Sequence, residues 1–208
     1  MPIWSYILTA LAAYLLGSIP TGFLAAKAKG IDIRAAGSGN IGATNAMRVL
    51  GAPAGIVVLL LDALKGFVAV VFLPILIYKI YPTPAIHPGI VAGVFAVLGH
   101  NYSCWLKFKG GKGIATTAGV YLALAPWAVL IALVVFVFAV LVTRYVSVGS
   151  ISAAAALPVT VWIMSPGNLF LAIVTTALGA LAIYKHKSNI QRLMNGTENR
   201  LGNKKDKK

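Results

Sequence analysis

Seven near-continuous apolar stretches decide what this chain can fold into. They lie near 3–25, 53–79, 86–106, 113–125, 126–145, 147–164 and 166–184. A helix needs roughly 20 such residues to cross the hydrocarbon layer of a bilayer. Lipid offers no partner to a free backbone N–H or C=O, so a spanning segment must be a helix or a strand of a closed barrel. Barrel strands alternate apolar and polar residues, and these stretches do not. The expectation is an all-α, polytopic membrane protein of seven transmembrane helices. Charge agrees, since Asp, Glu, Lys and Arg make up 11% of the chain against about a quarter in an ordinary soluble domain. One transmembrane domain is expected over 1–195. The basic remainder, 196–208, is expected to be a disordered cytoplasmic tail whose lysines meet anionic lipid heads.

The fourth stretch is the short one, and Pro126 alone parts it from the fifth. Its length of about 13 residues makes roughly 20 Å of helix. Basic residues argue for keeping the two apart. With seven spans, Lys27, Lys29, Arg34 and Arg48 share a side with Lys107, Lys109 and Lys112, with Arg144, and with the eight basic residues from Lys185 onward. These are 16 of the 18; Lys79 falls opposite and Lys65 lies within a span. Merging the stretches would send Arg144 and the basic tail to the other face. The positive-inside rule therefore favours an outer amino terminus and a cytoplasmic carboxyl terminus. The start, Met1-Pro2-Ile3-Trp4-Ser5, lacks a basic n-region and reads as a retained span. A net charge of +14 would suggest nucleic acid in a soluble protein. Here it lines one membrane face, and no nucleic-acid partner is expected. Cys104 is the only cysteine, which excludes an intrachain disulfide or a cysteine metal cluster.

The outer connections are short turns at Tyr81–Pro84, Ala125-Pro126 and Ser165–Asn168, whereas the inner ones are long, polar and rich in glycine. Chemistry is expected on the inner side. The first inner segment runs Gly37-Ser38-Gly39-Asn40-Ile41-Gly42-Ala43-Thr44-Asn45-Ala46-Met47-Arg48. Formally it is G-x-G-x-x-G, but it follows a membrane span instead of a strand, so it is no dinucleotide fold. The local physics survives: Gly37, Gly39 and Gly42 let backbone N–H groups approach a phosphate. Ser38, Asn40, Thr44 and Asn45 add side-chain donors, and Arg48 adds a fork. The bland alternative is a flexible loop with a topology-fixing arginine.

The second segment, Lys107 to Thr117, opens the short fourth helix. It fails the Walker pattern because Gly113 follows Lys112 where Ser or Thr should stand. Gly110, Gly111, Gly113 and Thr116 around Lys112 still suit an anion at a helix amino terminus. Lys107 and Lys109 fit interfacial snorkelling as well. The third segment is split between Arg144–Ser150 and Lys185–Arg192, where His186 and Asn189 share a face if the last helix continues. His87 and His100 are weaker candidates; His100 with Asn101 reads as a polar cap. Asp62 and Lys65, three apart inside a span, read as a neutralising pair that also packs a glycine loop.

Only Asp32, Asp62, Glu198 and Asp206 are acidic, too few for a carboxylate-held Mg²⁺ site. No metal or cofactor is expected. The H-x₄-D dyad of many acyltransferases is missing too, since Ala92, Trp105 and Gln191 stand five beyond the three histidines.

The motifs GSGNIGATNAMR, FKGGKGIATTAG and KHKSNIQRL, with DALKG in the second span, closely resemble the PlsY family of acyl-phosphate:glycerol-3-phosphate acyltransferases. The resemblance covers nearly the whole chain. It implies a multi-pass enzyme of the bacterial cytoplasmic (inner) membrane with its active site facing the cytoplasm. Such an enzyme moves a fatty acyl group from acyl-phosphate to the 1-hydroxyl of sn-glycerol 3-phosphate, the first acylation of phospholipid synthesis. It further implies a polar site at Ser38, Arg48, Lys112, Ser150, His186 and Asn189, expected to form one metal-free pocket. The tail after Gly196 is longer than the family leads one to expect. The alternative from another class is an organic-phosphate transporter or channel.

Overall fold

The computed structural model describes residues 3–80 and 88–202, and every regular element among them is helical. His87, the turn at Tyr81–Pro84, Asp206 and the four terminal lysines lie outside the described residues. The helices are α1 (Ile3–Ser18), α2 (Thr21–Lys27), α3 (Ala43–Leu50), α4 (Ala52–Ile80), α5 (Pro88–Asn101), α6 (Ile114–Leu124), α7 (Pro126–Thr143), α8 (Val146–Met164), α9 (Leu169–Lys185) and α10 (Lys187–Met194). A single 3₁₀ turn, Cys104–Leu106, follows α5.

Helix ends follow from local chemistry. Pro20 separates α1 from α2, since its ring lacks the N–H a continuing helix needs. Pro126 sits at the first turn of α7, where that lack costs nothing. Arg144 ends α7 in the left-handed conformation (φ 63°) and returns its N–H to Val140 O at 2.7 Å. Asn168 caps α9 by accepting from Leu171 N at 3.0 Å.

Each apolar stretch named above contains a helix, but not every helix has the length of a span. Five segments are long and apolar enough to cross a bilayer: Ile3–Lys27, Ala52–Ile77, Pro88–Leu106, Pro126–Thr143 and Val146–Met164. The pair α9 and α10, bent by 51°, makes a sixth if counted together. With 11 residues, α6 rises only about 17 Å, roughly half of a 30 Å hydrocarbon layer.

The chain divides into two compact units, Met1–Leu124 and Ala125–Lys208. In the first, α1 packs on α5 while α4 packs on α6 and α3. Small residues make these approaches possible: a Cβ at Gly17 would collide with the Ala96 carbonyl, and one at Gly119 with that of Ala63. Lipid tails are as apolar as leucine, so helices gain by packing closely and not by hiding from water. A second cluster of Ala26, Ile33, Ile41, Ala46, Val58 and Leu106 supports the polar loops.

In the second unit, α8 packs against α7 and α9. Val134, Phe138 and Leu141 recur at helical spacing on α7 and are about two-thirds exposed or more. That face is suited to lipid. The chain does not leave this unit at Gly196, as a solvated tail would. Leu201 N donates to Arg144 O at 2.8 Å, and Arg200 lies over the Tyr145 ring at 5.9 Å.

The packing predicts that Gly119→Val, which forces α6 off α4, lowers stability by about 1–3 kcal/mol. Gly167→Ala, facing open space, should leave Tm in detergent unchanged; thermal unfolding of both variants checks this.

Candidate functional site

Asn45 organises the first polar segment. Its side chain is buried, with Nδ2 donating towards Asn40 O (2.8 Å), Ala36 O (3.0 Å) and Ile33 O (3.3 Å). Its Oδ1 accepts from Ser38 N at 2.8 Å and faces Arg48 Nη1 at 3.5 Å. A loop without regular structure must find donors for its carbonyls, and one amide supplies several of them. Gly37 (φ 60°) and Gly39 (φ 71°) turn the chain around this amide. Asn40 Oδ1 accepts from Gly42 N at 2.8 Å, at the start of α3. Asn40 and Asn45 therefore build the loop, whereas Ser38 and Thr44 are exposed and Arg48 is half-buried. Nearby, Arg34 grips Asp32 with a fork of two 2.9 Å bonds. That hydrogen bonding holds the Asp32 carboxyl down to about 2.

The second segment leaves α5 through the 3₁₀ turn. Lys107 (φ 52°) and Phe108 (φ 60°) are left-handed, held by Phe108 N donating to Ser103 O (2.9 Å) and Lys109 N to Leu106 O (3.0 Å). Ser103 Oγ donates to Ser18 O and Tyr14 Oη to Tyr102 O, both at 2.6 Å, tying the turn to α1. Gly110 N then donates to Asn101 O (3.2 Å) and Gly111 N to His100 O (2.9 Å). A Cβ on either glycine would strike His100. Gly113 (φ 84°) precedes α6, and its carbonyl accepts from Thr117 N at 2.7 Å.

The glycine pattern thus also has a use within the chain. The N–H groups of Ser38, Gly39, Gly42, Gly110 and Gly111 close bonds within the chain. Thr116, expected in a phosphate loop, is fully buried where its carbonyl crowds Gly66 of α4. Lys112 is half-buried here, just ahead of the first turn of α6, whose N–H groups have no carbonyl ahead of them in the helix.

Asp62 and Lys65 form the expected pair, at 2.8 Å and almost wholly buried. Sequence reasoning missed their company. His100 Nδ1 lies 3.0 Å from Lys65 Nζ and 3.5 Å from Asp62 Oδ1. Thr21 Oγ1 donates to Asp62 Oδ1 at 2.6 Å.

In the second unit, Ser150 is buried on α8 and donates to Val146 O at 3.0 Å. His186 is the joint between α9 and α10, so the last helix does not run straight on, as the shared-face expectation required. Its ring Nδ1 lies 2.8 Å from Ala182 O. A carbonyl only accepts, so Nδ1 carries a proton. Asn189 stays close because its N–H donates to His186 O at 2.8 Å.

Asn189 Nδ2 donates to Glu198 Oε1, and Arg192 Nε to Glu198 Oε2, both at 2.7 Å. Sequence analysis had assigned Glu198 to the solvated tail, although it is the chain's only glutamate. Burial pushes its carboxyl up, but the Asn189 and Arg192 hydrogen bonds outweigh this and hold it below its ordinary value. The stabilisation is therefore complete above the ordinary pKa of 4.5 and is lost as pH falls through the lowered one. Glu198→Gln should cost roughly 1–3 kcal/mol at neutral pH. Thermal unfolding should show the gap to wild type closing in acid.

The family model described as glycerol-3-phosphate acyltransferase matches residues 7–196. The chain is 48% identical over 195 residues to a glycerol-3-phosphate acyltransferase of Geotalea daltonii, covering 94% of this chain and 97% of that one. It is 50% identical over 195 residues to that of Geobacter sulfurreducens, covering 93% and 96%. Among solved structures it is similar to PlsY, an integral membrane glycerol 3-phosphate acyltransferase. The glycerol 3-phosphate form gives a TM-score of 0.83 at 41% identity, covering 95% of this chain and 96% of that one. The lysophosphatidic acid form gives 0.81 at 40%, with the same coverage. Together with the apolar helices of bilayer length, these likenesses make the protein a multi-pass membrane protein, and the chain belongs to the glycerol-3-phosphate acyltransferase family.

Proposed function

We propose that the chain transfers a fatty acyl group from acyl-phosphate to the 1-hydroxyl of sn-glycerol 3-phosphate. The products are lysophosphatidic acid and inorganic phosphate. The observation that carries this reading is near-full-length identity to glycerol-3-phosphate acyltransferases, with PlsY in glycerol 3-phosphate and lysophosphatidic acid forms as structural neighbours.

The donor is a mixed anhydride and already activated. The acceptor hydroxyl attacks its carbonyl carbon, a new C–O ester bond forms, and the bond to phosphate breaks with its electron pair leaving on phosphate. The protein's task is to hold two anions, aim the hydroxyl and stabilise the leaving charge. Lys112, Arg48 and Ser38 suit the phosphoryl groups. Ser150, His186 and Asn189 suit the glycerol part. Asn189 and His186 are polar side chains able to hydrogen-bond the hydroxyls of glycerol 3-phosphate, and the attacking proton passes to His186 or to a phosphate oxygen. His186 serves mainly to position glycerol 3-phosphate.

The proposed topology has seven crossings, α6 being the short one, in the bacterial cytoplasmic membrane. The amino terminus is outside and the carboxyl terminus and site face the cytoplasm. The one-sided placement of basic residues supports it.

Purified protein in detergent should release phosphate only when acyl-phosphate and glycerol 3-phosphate are both present. Silence in that assay would leave the transporter alternative standing, because detergent has no sealed compartment. Lys112→Met should lower kcat about 10²–10³-fold. His186→Ala should raise KM for glycerol 3-phosphate; unchanged kinetics would remove His186 from its role.

A further inference from the structure

We infer that Asp62, Lys65 and His100 are positioning residues: a buried charge cluster that holds the Gly110–Gly113 segment and thereby fixes where Lys112 stands.

A lysine ammonium has three N–H donors. Lys65 Nζ has three acceptors around it: Asp62 Oδ1 at 2.8 Å, Ile19 O at 2.9 Å and His100 Nδ1 at 3.0 Å. The 3.0 Å contact holds His100 Nδ1 against Lys65 Nζ. The ring's rotation is then fixed by Lys65 on one edge. Its other edge lies against Gly111, where a Cβ would collide with Nε2. His100 O also accepts from Gly111 N at 2.9 Å. One residue thus holds Gly111 through its backbone and its open Cα face, directly before Lys112. Asn101 repeats the device, accepting from Gly110 N at 3.2 Å and placing its side chain beside Gly113.

Stability alone is a weak reason for such a cluster. Lys65 and Asp62 are 5% and 1% exposed, and well-packed apolar residues often serve a buried site at least as well as an ion pair. What an apolar core cannot supply is direction. The cluster joins the α1–α2 junction, through Ile19 and Thr21, to α4 and to the end of α5, and its hydrogen bonds admit one orientation of the ring that supports the loop.

The test has an arm that needs no substrate and one that rests on the acyl transfer proposed above. By hydrogen exchange on the purified protein, Lys65→Met and His100→Leu should speed exchange of the Gly110 and Gly111 amides about tenfold or more, leaving α8 and α9 unchanged. His100→Asn keeps an acceptor where Nδ1 stood and should retain the protection. In the kinetic arm, kcat of Lys65→Met and His100→Leu should fall at least about tenfold with little change in either KM, since the loss is of placement. His100→Asn should recover most of it.

Unchanged exchange in the two disruptive variants overturns the inference. So does protection lost evenly across α1–α6, or lost equally in His100→Asn and His100→Leu, because either describes mere loss of fold. Should Lys65→Met not accumulate, the two His100 variants decide alone. A wild type without turnover but with the expected exchange pattern would count against the proposed reaction and not against the positioning cluster.

Discussion

A bilayer interior supplies no hydrogen-bond partner, and each polar group of this chain that enters it must bring its own. Most do so locally. Thr9, Ser150, Thr160 and Thr175 return their hydroxyls to the carbonyl four residues back, at distances from 2.6 to 3.0 Å. Lys65 cannot be satisfied within one turn, so it draws Asp62, Ile19 and His100 together from separate elements. The same constraint explains the glycines along α1, α4 and α6. When water does not drive helices together, the backbones must come close enough for dispersion to hold them.

The helices were legible because their limits are written in local breakers. Pro126 and Asn168 act through the backbone of their own residue or the next turn, and sequence order contains that information. The break at His186 was not legible because no proline or glycine marks it. The histidine makes it: its Nδ1 bonds Ala182 O, the carbonyl a continuing helix would offer to its backbone N–H, and that N–H turns to Ile183 O instead. Such competition between a side chain and its own main chain leaves no compositional trace.

Cations and glycines alike stand out in the sequence, but a glycine's part in the fold does not. A segment without Cβ atoms can admit a phosphate or another stretch of backbone, and the sequence signature is the same for both. Gly110 and Gly111 admit the end of α5. Asn45, expected to donate to a phosphate, also frames its own loop. Glu198 was lost among basic tail residues because composition averages over neighbours, whereas one carboxylate needs only Arg192 and Asn189. Residues expected to meet substrate thus depend on others that do not, and these supporting residues are the harder part to read from a chain.

The short α6 has a mechanical consequence. With 11 residues it covers about 17 Å, and its first turn begins directly after Gly113, which lies beside the Asn101 side chain. In so short a lever little length separates the close approach of Gly119 to Ala63 from the Lys112 backbone. A displacement at either end is passed to the other almost undiminished, because packed interiors yield little.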